Sequence, residues 1–123
     1  MLDAVHHVAI ICSDGEQARR FYLERLGCEL LRETRRLEDT KLDLRLAGID
    51  IELFIKPGAP ARLTYPEACG LRHLAFRVQS VAEAACWLAE RDIPCEPIRL
   101  DDIDHRPMTF FQDPDGLPIE LHE

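Results

Sequence analysis

The sequence predicts an α+β fold of two βαβββ modules whose curved mixed sheets form an open cup. Two observations carry this. The segments Val5 to Pro57 and Gly70 to Glu123 follow one plan, each opening on a strand-like run in which His-x-Ala recurs, as His7-Val8-Ala9 and His73-Leu74-Ala75. Each run is followed by a capping-box pattern, Ser13-x-x-Glu16 and Ser80-x-x-Glu83, in which a serine satisfies an exposed backbone N–H and the glutamate reaches back. The chain therefore reads as a single domain over 1–123, with a first module over 1–57, a linker over 58–69 and a second module over 70–123.

The elements follow in order. Val5 to Cys12 opens the first module with β-branched residues at strand spacing, and Gly70 to Val78 opens the second. Ala18, Phe21, Tyr22 and Leu26 fall at helical spacing before Gly27 stops the run, and Val81, Ala84, Ala85 and Leu88 do so in the second module. Three further strands are predicted in each: Cys28 to Arg36, Asp43 to Ala47 and Asp50 to Lys56, then Glu96 to Asp101, Met108 to Gln112 and Pro118 to His122. The turn Asp113-Pro114-Asp115-Gly116 is the clearest hairpin signal, and the sheets should be largely antiparallel.

Composition narrows the function classes. Of 123 residues 46% are hydrophobic and 31% charged, enough for a core without staples, so a metal here would serve chemistry. Fifteen basic against 23 acidic residues give a net charge of −8, with no basic cluster to follow a phosphate backbone, so nucleic acid and anionic membrane are excluded as partners. No apolar run approaches the roughly 20 residues of a membrane span, and no signal-peptide pattern opens the chain, so a cytoplasmic location is expected. Cys12, Cys28, Cys69, Cys86 and Cys95 are odd in number with no Cys-x-x-Cys spacing, so at least four are expected to be buried thiols. Gly-rich phosphate loops are missing.

The repeat places His7 and His73 in the first strand of each module. It places Glu52 and Glu120 in the last, within Ile51-Glu52-Leu53 and Ile119-Glu120-Leu121. Alternation puts His7 with Ala9, and His73 with Ala75, on the face opposite the apolar residues, so His and Glu share the open face. Any one of the four alone would read as an ordinary solvated or hydrogen-bonded residue. Glutamate twice between the same apolar neighbours in a strand runs against β-propensity. If the two sheets curve toward each other, the duplicated pairs give a nitrogen and oxygen set suited to a divalent transition metal such as Ni, Co, Zn, Mn or Fe. The open cup is thus read as metal-binding.

Over nearly its whole length this pattern resembles the vicinal oxygen chelate superfamily: glyoxalase I, methylmalonyl-CoA epimerase, fosfomycin-modifying thiol transferases, extradiol dioxygenases and bleomycin-binding proteins. His7, Glu52, His73 and Glu120 match the metal-ligand positions of the bacterial glyoxalase I branch, and the Asp113 to Gly116 turn matches that family's last hairpin. The epimerases usually carry glutamine at the Glu52 position, and the thiol transferases and dioxygenases two histidines with one glutamate. The resemblance implies a metal-dependent lyase or isomerase acting on a small α-oxo compound or its thiol hemithioacetal through an enediolate. It implies Glu120 as the base, with Glu52 as companion ligand able to take that role for the other enantiomer. The alternatives are a metal-free ligand-sequestering protein of the bleomycin-resistance type, or a thiol transferase or dioxygenase.

Two positions depart from glyoxalase I. Ile11 stands where an arginine is usual and Lys56 where a neutral amide is, both glutathione contacts in that enzyme. Lys56, Arg72 or the loop residues Arg99 and Arg106 are then candidates to meet an anionic substrate group, Arg77 being a further possible anion contact. His6 is read as packing or capping, His122 as a surface residue able to orient Glu120, His105 as lying near the mouth of the cleft, and Trp87 as packing. Because each module has an open side to cover, a homodimer is expected, with a small molecule as the ligand.

Overall fold

The structure, a computed structural model, describes all 123 residues. The chain divides into two compact units, Met1–Pro60 and Ala61–Glu123. Each unit holds one four-stranded mixed sheet, giving the expected α+β, twice-βαβββ architecture.

The first unit contains β1 (His7–Cys12), α1 (Gly15–Arg19) continuing as a π-helical segment (Arg20–Arg25), β2 (Glu29–Arg35), β3 (Thr40–Leu46) and β4 (Ile49–Ile55). The strand order is β1-β4-β3-β2, with β1 parallel to β4 and the other pairs antiparallel. Alternation decides the faces. Ile10 and Cys12 of β1, Leu42 and Leu44 of β3, and Ile51, Leu53 and Ile55 of β4 are buried together with Phe21, Tyr22 and Leu26. Each large aliphatic among them contributes roughly 1.5–3 kcal/mol by leaving water.

Helix α1 starts one residue later than the Ser13 pattern predicts. Asp14, in extended conformation, is the N-cap, and its carboxylate accepts from Gln17 N at 2.8 Å. A charged acceptor at the positive end of a helix outcompetes a neighbouring hydroxyl. Glu16, freed of the capping-box role, pairs with Arg20 at 3.0 Å. The helix then widens, with Leu26 N donating to Phe21 O, five residues back, at 2.8 Å. That wider turn lets the neighbours Phe21 and Tyr22 both be buried, edge to face at 5.0 Å. Gly27, at φ +80°, ends it.

The second unit contains β5 (Leu74–Arg77), α2 (Val81–Ala89), β6 (Arg99–Leu100), β7 (Pro107–Gln112) and β8 (Pro118–His122), in sheet order β5-β8-β7-β6 with β5 parallel to β8. Here the serine cap is as expected: Ser80 Oγ accepts from Glu83 N at 3.2 Å. Two strands are shorter than predicted. β5 begins at Leu74 rather than Gly70, because the Arg62 guanidinium takes the carbonyls of Leu71 and Arg72 at 2.7 and 3.0 Å. The expected strand from Glu96 shrinks to two residues because Pro97 has no N–H to give and Asp101 turns the chain by accepting from Ile103 N and Asp104 N. In the β7–β8 hairpin, the buried Asp113 accepts from Asp115 N and Leu117 N, and Gly116 supplies the positive φ.

Only Cys12 and Cys28 are buried, fewer than expected: Cys95 is half-buried, Cys86 lies beside the partly exposed Trp87, and Cys69 is in the connection. Burial pushes the Cys28 thiol up to about 11, which keeps it unreactive. No helix is long and apolar enough to cross a membrane.

One ion cluster closes the β2–β3 turn. The Asp39 carboxylate is fully enclosed, held by Arg36 at 2.5 Å and Lys56 at 2.8 Å. First the Arg36 hydrogen bonds, then that of Lys56, hold its pKa far below the usual carboxylate range. A depressed folded-state pKa contributes stability that is present above the unfolded value of about 4 and fades as pH falls further. Asp39→Asn should therefore destabilise the protein clearly at neutral pH, with the gap to wild type narrowing as pH drops below about 4. Denaturant titrations of both proteins across that range check this; a pH-independent gap would contradict it.

Candidate functional site

The same register recurs in both units and sets the position of the polar groups. In the parallel β1–β4 pair Ala9 lies opposite Glu52, and in the parallel β5–β8 pair Ala75 lies opposite Glu120. An alanine beside the glutamate leaves room above the sheet, and the histidine two residues before it fills that room. His7 Nε2 lies 3.6 Å from Glu52 Oε2, and His73 Nε2 lies 2.8 Å from Glu120 Oε2. Each unit thus brings together one of the predicted pairs, with His7 the first residue of β1 and His73 immediately before β5.

Their surroundings differ. Opposite Glu52 on β3 stands Asp43, whereas opposite Glu120 on β7 stands Phe110. Phe110 also packs edge-on to the His73 ring at 5.2 Å, and Glu120 is buried. Glu52 is instead bonded through Oε1 to Lys41 Nζ at 2.8 Å, and Lys41 also reaches Asp43 at 3.0 Å. The bonds to Glu52 and then Asp43 raise the Lys41 pKa, so the ammonium is fixed in its charged form. Arg32 holds the other Asp43 oxygen at 3.0 Å.

The donor set fits a divalent transition metal. Two donors each about 2.1 Å from a metal and at right angles to one another lie about 3.0 Å apart, close to the 2.8 Å of His73–Glu120 and shorter than the 3.6 Å of His7–Glu52. For His7 Nε2 to offer a lone pair, the ring proton must sit on Nδ1, and Nδ1 lies 2.9 Å from His6 Nδ1, an acceptor in reach. His6 is exposed and lies against the His7 ring as its partner, rather than in the packing or capping role expected.

The second unit also carries a cavity of about 220 Å³ beside His73, with Arg62, Arg72 and Arg99 in its wall. Arg62 is engaged by backbone carbonyls and Arg72 pairs with Glu67 at 2.6 Å, which leaves Arg99 without an ionic partner. Lys56 is held by Asp39. His122 pairs with Asp104 at 3.3 Å rather than with Glu120, and with Asp101 these two form a staple for the β6–β7 loop. His105 takes a left-handed conformation in that loop and is exposed, and Trp87 is covered by the Arg91 guanidinium at 3.8 Å. Sequence reasoning missed Lys41 because it started β3 at Asp43. The alternation Lys41, Asp43, Arg45 between Leu42 and Leu44 is the signal that finds it.

This fold, twice carrying a histidine and a glutamate at one register, is the paired βαβββ fold of the vicinal oxygen chelate proteins. The chain matches the model of the Glyoxalase/Bleomycin resistance protein/Dioxygenase superfamily over residues 4–121, and it belongs to that superfamily. It is 51% identical to the uncharacterized protein YwkD of Bacillus subtilis, over 100% of this chain and 98% of that one. With the uncharacterized protein YaeR of Escherichia coli it shares 46% identity, over 99% and 97%. The crystal structure of a glyoxalase family protein from Enterococcus faecalis superposes with a TM-score of 0.94 at 52% identity, covering 98% of this chain and 97% of that one. A more distant relative is the metallothiol transferase FosB of Staphylococcus haemolyticus, 26% identical over 99% of this chain and 84% of that one. The superfamily includes metal-dependent enzymes, and FosX of Listeria monocytogenes, which shares the fold at 20% identity over 99% of this chain and 90% of that one with a TM-score of 0.74, has been solved with Mn(II).

Proposed function

We propose that this chain is a metal-dependent lyase or isomerase of the glyoxalase I type, acting on a small α-oxo compound or its thiol hemithioacetal. His7, Glu52, His73 and Glu120 are its ligands for one divalent transition metal per site. The observation that carries this reading is the doubled His–Glu pair at one register, Ala9 opposite Glu52 and Ala75 opposite Glu120. A metal bound there supplies Lewis-acid polarisation of adjacent substrate oxygens. The chain supplies the rest. Glu120, buried and paired with no lysine or arginine, takes the proton from the substrate carbon and returns it to the neighbouring one, so no outside oxidant is needed. His6 fixes the His7 ring. Arg99, unpaired beside the cavity at His73, meets an anionic group of the substrate. A buried carboxylate such as Glu120, set against a histidine, is costly and has no evident use in a metal-free sequestering cleft.

Thiol addition is a second reading, and the likeness to FosB favours it. There Glu52 would stay with Lys41, leaving His7, His73 and Glu120 as ligands.

Protein purified without chelator should carry near-stoichiometric transition metal by elemental analysis. Glu120→Gln should keep much of it while losing turnover. The His7→Ala, His73→Ala double variant should lose it, and full retention there would end the metal reading.

A homodimer whose sites each take one pair from either chain predicts complementation. Mixing His7→Ala with His73→Ala should regenerate one intact site per heterodimer and recover activity. No recovery after demonstrated subunit exchange would assign both pairs of a site to the same chain.

Arg99→Ala should raise KM for an anionic substrate by about tenfold with kcat little changed, the mark of lost ground-state binding. Lys56→Ala should leave KM alone, since Asp39 occupies that ammonium. Steady-state kinetics on the metal-loaded variants separate the two.

A further inference from the structure

The two half-sites share a register but not a charge pattern. Counting from the residue opposite each glutamate, the position two residues earlier on the third strand is Lys41 in the first unit and Met108 in the second. Only Glu52 therefore has a resident ammonium. Lys41 sits between two seats of nearly equal reach, Glu52 Oε1 at 2.8 Å and Asp43 Oδ1 at 3.0 Å, with the Phe54 ring centre at 5.7 Å. The other carboxylate oxygen, Oε2, is the one on the His7 side. A divalent cation taking Glu52 would meet a positive charge already bonded to the same carboxylate, and like charges at this range repel strongly.

We propose that Lys41 is an internal competitor of the metal: it holds Glu52 in the metal-free protein, yields it on metal binding by moving its ammonium wholly onto Asp43, and so sets metal affinity. Lys41 is a positioning residue in this role, and the inference rests on the metal-ligand reading above. The device explains why Asp43 stands opposite Glu52 in a sheet where like charges on paired strands are otherwise unfavourable: it is the seat to which the displaced ammonium goes. It also makes the two glutamates unequal. Glu52 reaches a metal only through exchange of one cation for another, while Glu120 has no cation to exchange.

Calorimetric titration of the metal-stripped protein with Mn2+ tests this without a substrate. Lys41→Met should tighten Mn2+ binding by about tenfold, while Lys41→Arg, which keeps a cation, should stay close to wild type. Asp43→Asn removes the second seat and should weaken binding by roughly threefold or more. The gain from Lys41→Met should disappear when Glu52→Gln is added, because the competition is for that carboxylate. If wild type binds Mn2+ but Lys41→Met leaves the affinity unchanged, or if its gain survives intact in the Glu52→Gln background, the inference is overturned while the metal reading stands. If wild type binds no Mn2+, Zn2+, Co2+ or Ni2+, the metal reading itself falls. Far-ultraviolet circular dichroism on each variant separates lost binding from lost fold, and Asp43→Asn gives an independent sign should Lys41→Met not fold.

Discussion

The parallel pairing of the first and last strands within each unit is the constraint on which the rest depends. A parallel ladder needs a crossover, so the helix and two further strands must intervene between β1 and β4, and between β5 and β8. That crossover brings residues far apart in sequence side by side, and the register then decides which. With alanine opposite glutamate, the histidine two positions earlier is the side chain that reaches the carboxylate. A slip of one residue would send Glu52 and Glu120 to the apolar face and Ile51 and Ile119 into water. The buried isoleucine and leucine on either side of each glutamate therefore hold the chemistry in place as firmly as any polar contact.

The sheet architecture and both His–Glu pairs were legible in the sequence because they rest on period-two alternation repeated in duplicate. A single His-x-Ala or Ile-Glu-Leu would have carried little weight. What escaped was decided by contacts that leave no periodic trace. Asp14 displaced Ser13 as cap because a carboxylate competes better at a helix start. Arg62 captured the carbonyls that would have extended β5. Lys56, a candidate substrate contact by position, is committed to Asp39 by a turn whose closure no spacing rule shows. Local competition among charged groups is the common cause.

The electrostatic character of the chain follows from the same distribution. Its net negative charge is no guide to the cavity wall at His73, where three arginines gather and Arg99 stays unpaired. On the first unit the charges lie across strands as Arg45–Asp50, Arg32–Asp43 and Lys41–Glu52, each pair neutral in sum. Such ladders add little stability on an exposed sheet face. Their effect is to give Glu52 a cationic neighbour that Glu120 lacks.

Duplication with divergence on the third strand has a further consequence for how such a protein changes over time. The residues facing each glutamate from that strand, Asp43 with Lys41 on one side and Phe110 with Met108 on the other, lie outside the His-x-Ala and Ile-Glu-Leu segments that define the register. Substitution there alters the electrical and steric surroundings of one carboxylate and leaves its twin untouched. Two halves with one register thus carry two separately adjustable settings, one the charge beside Glu52 and the other how dry Glu120 is kept, and selection can move either without rebuilding the scaffold.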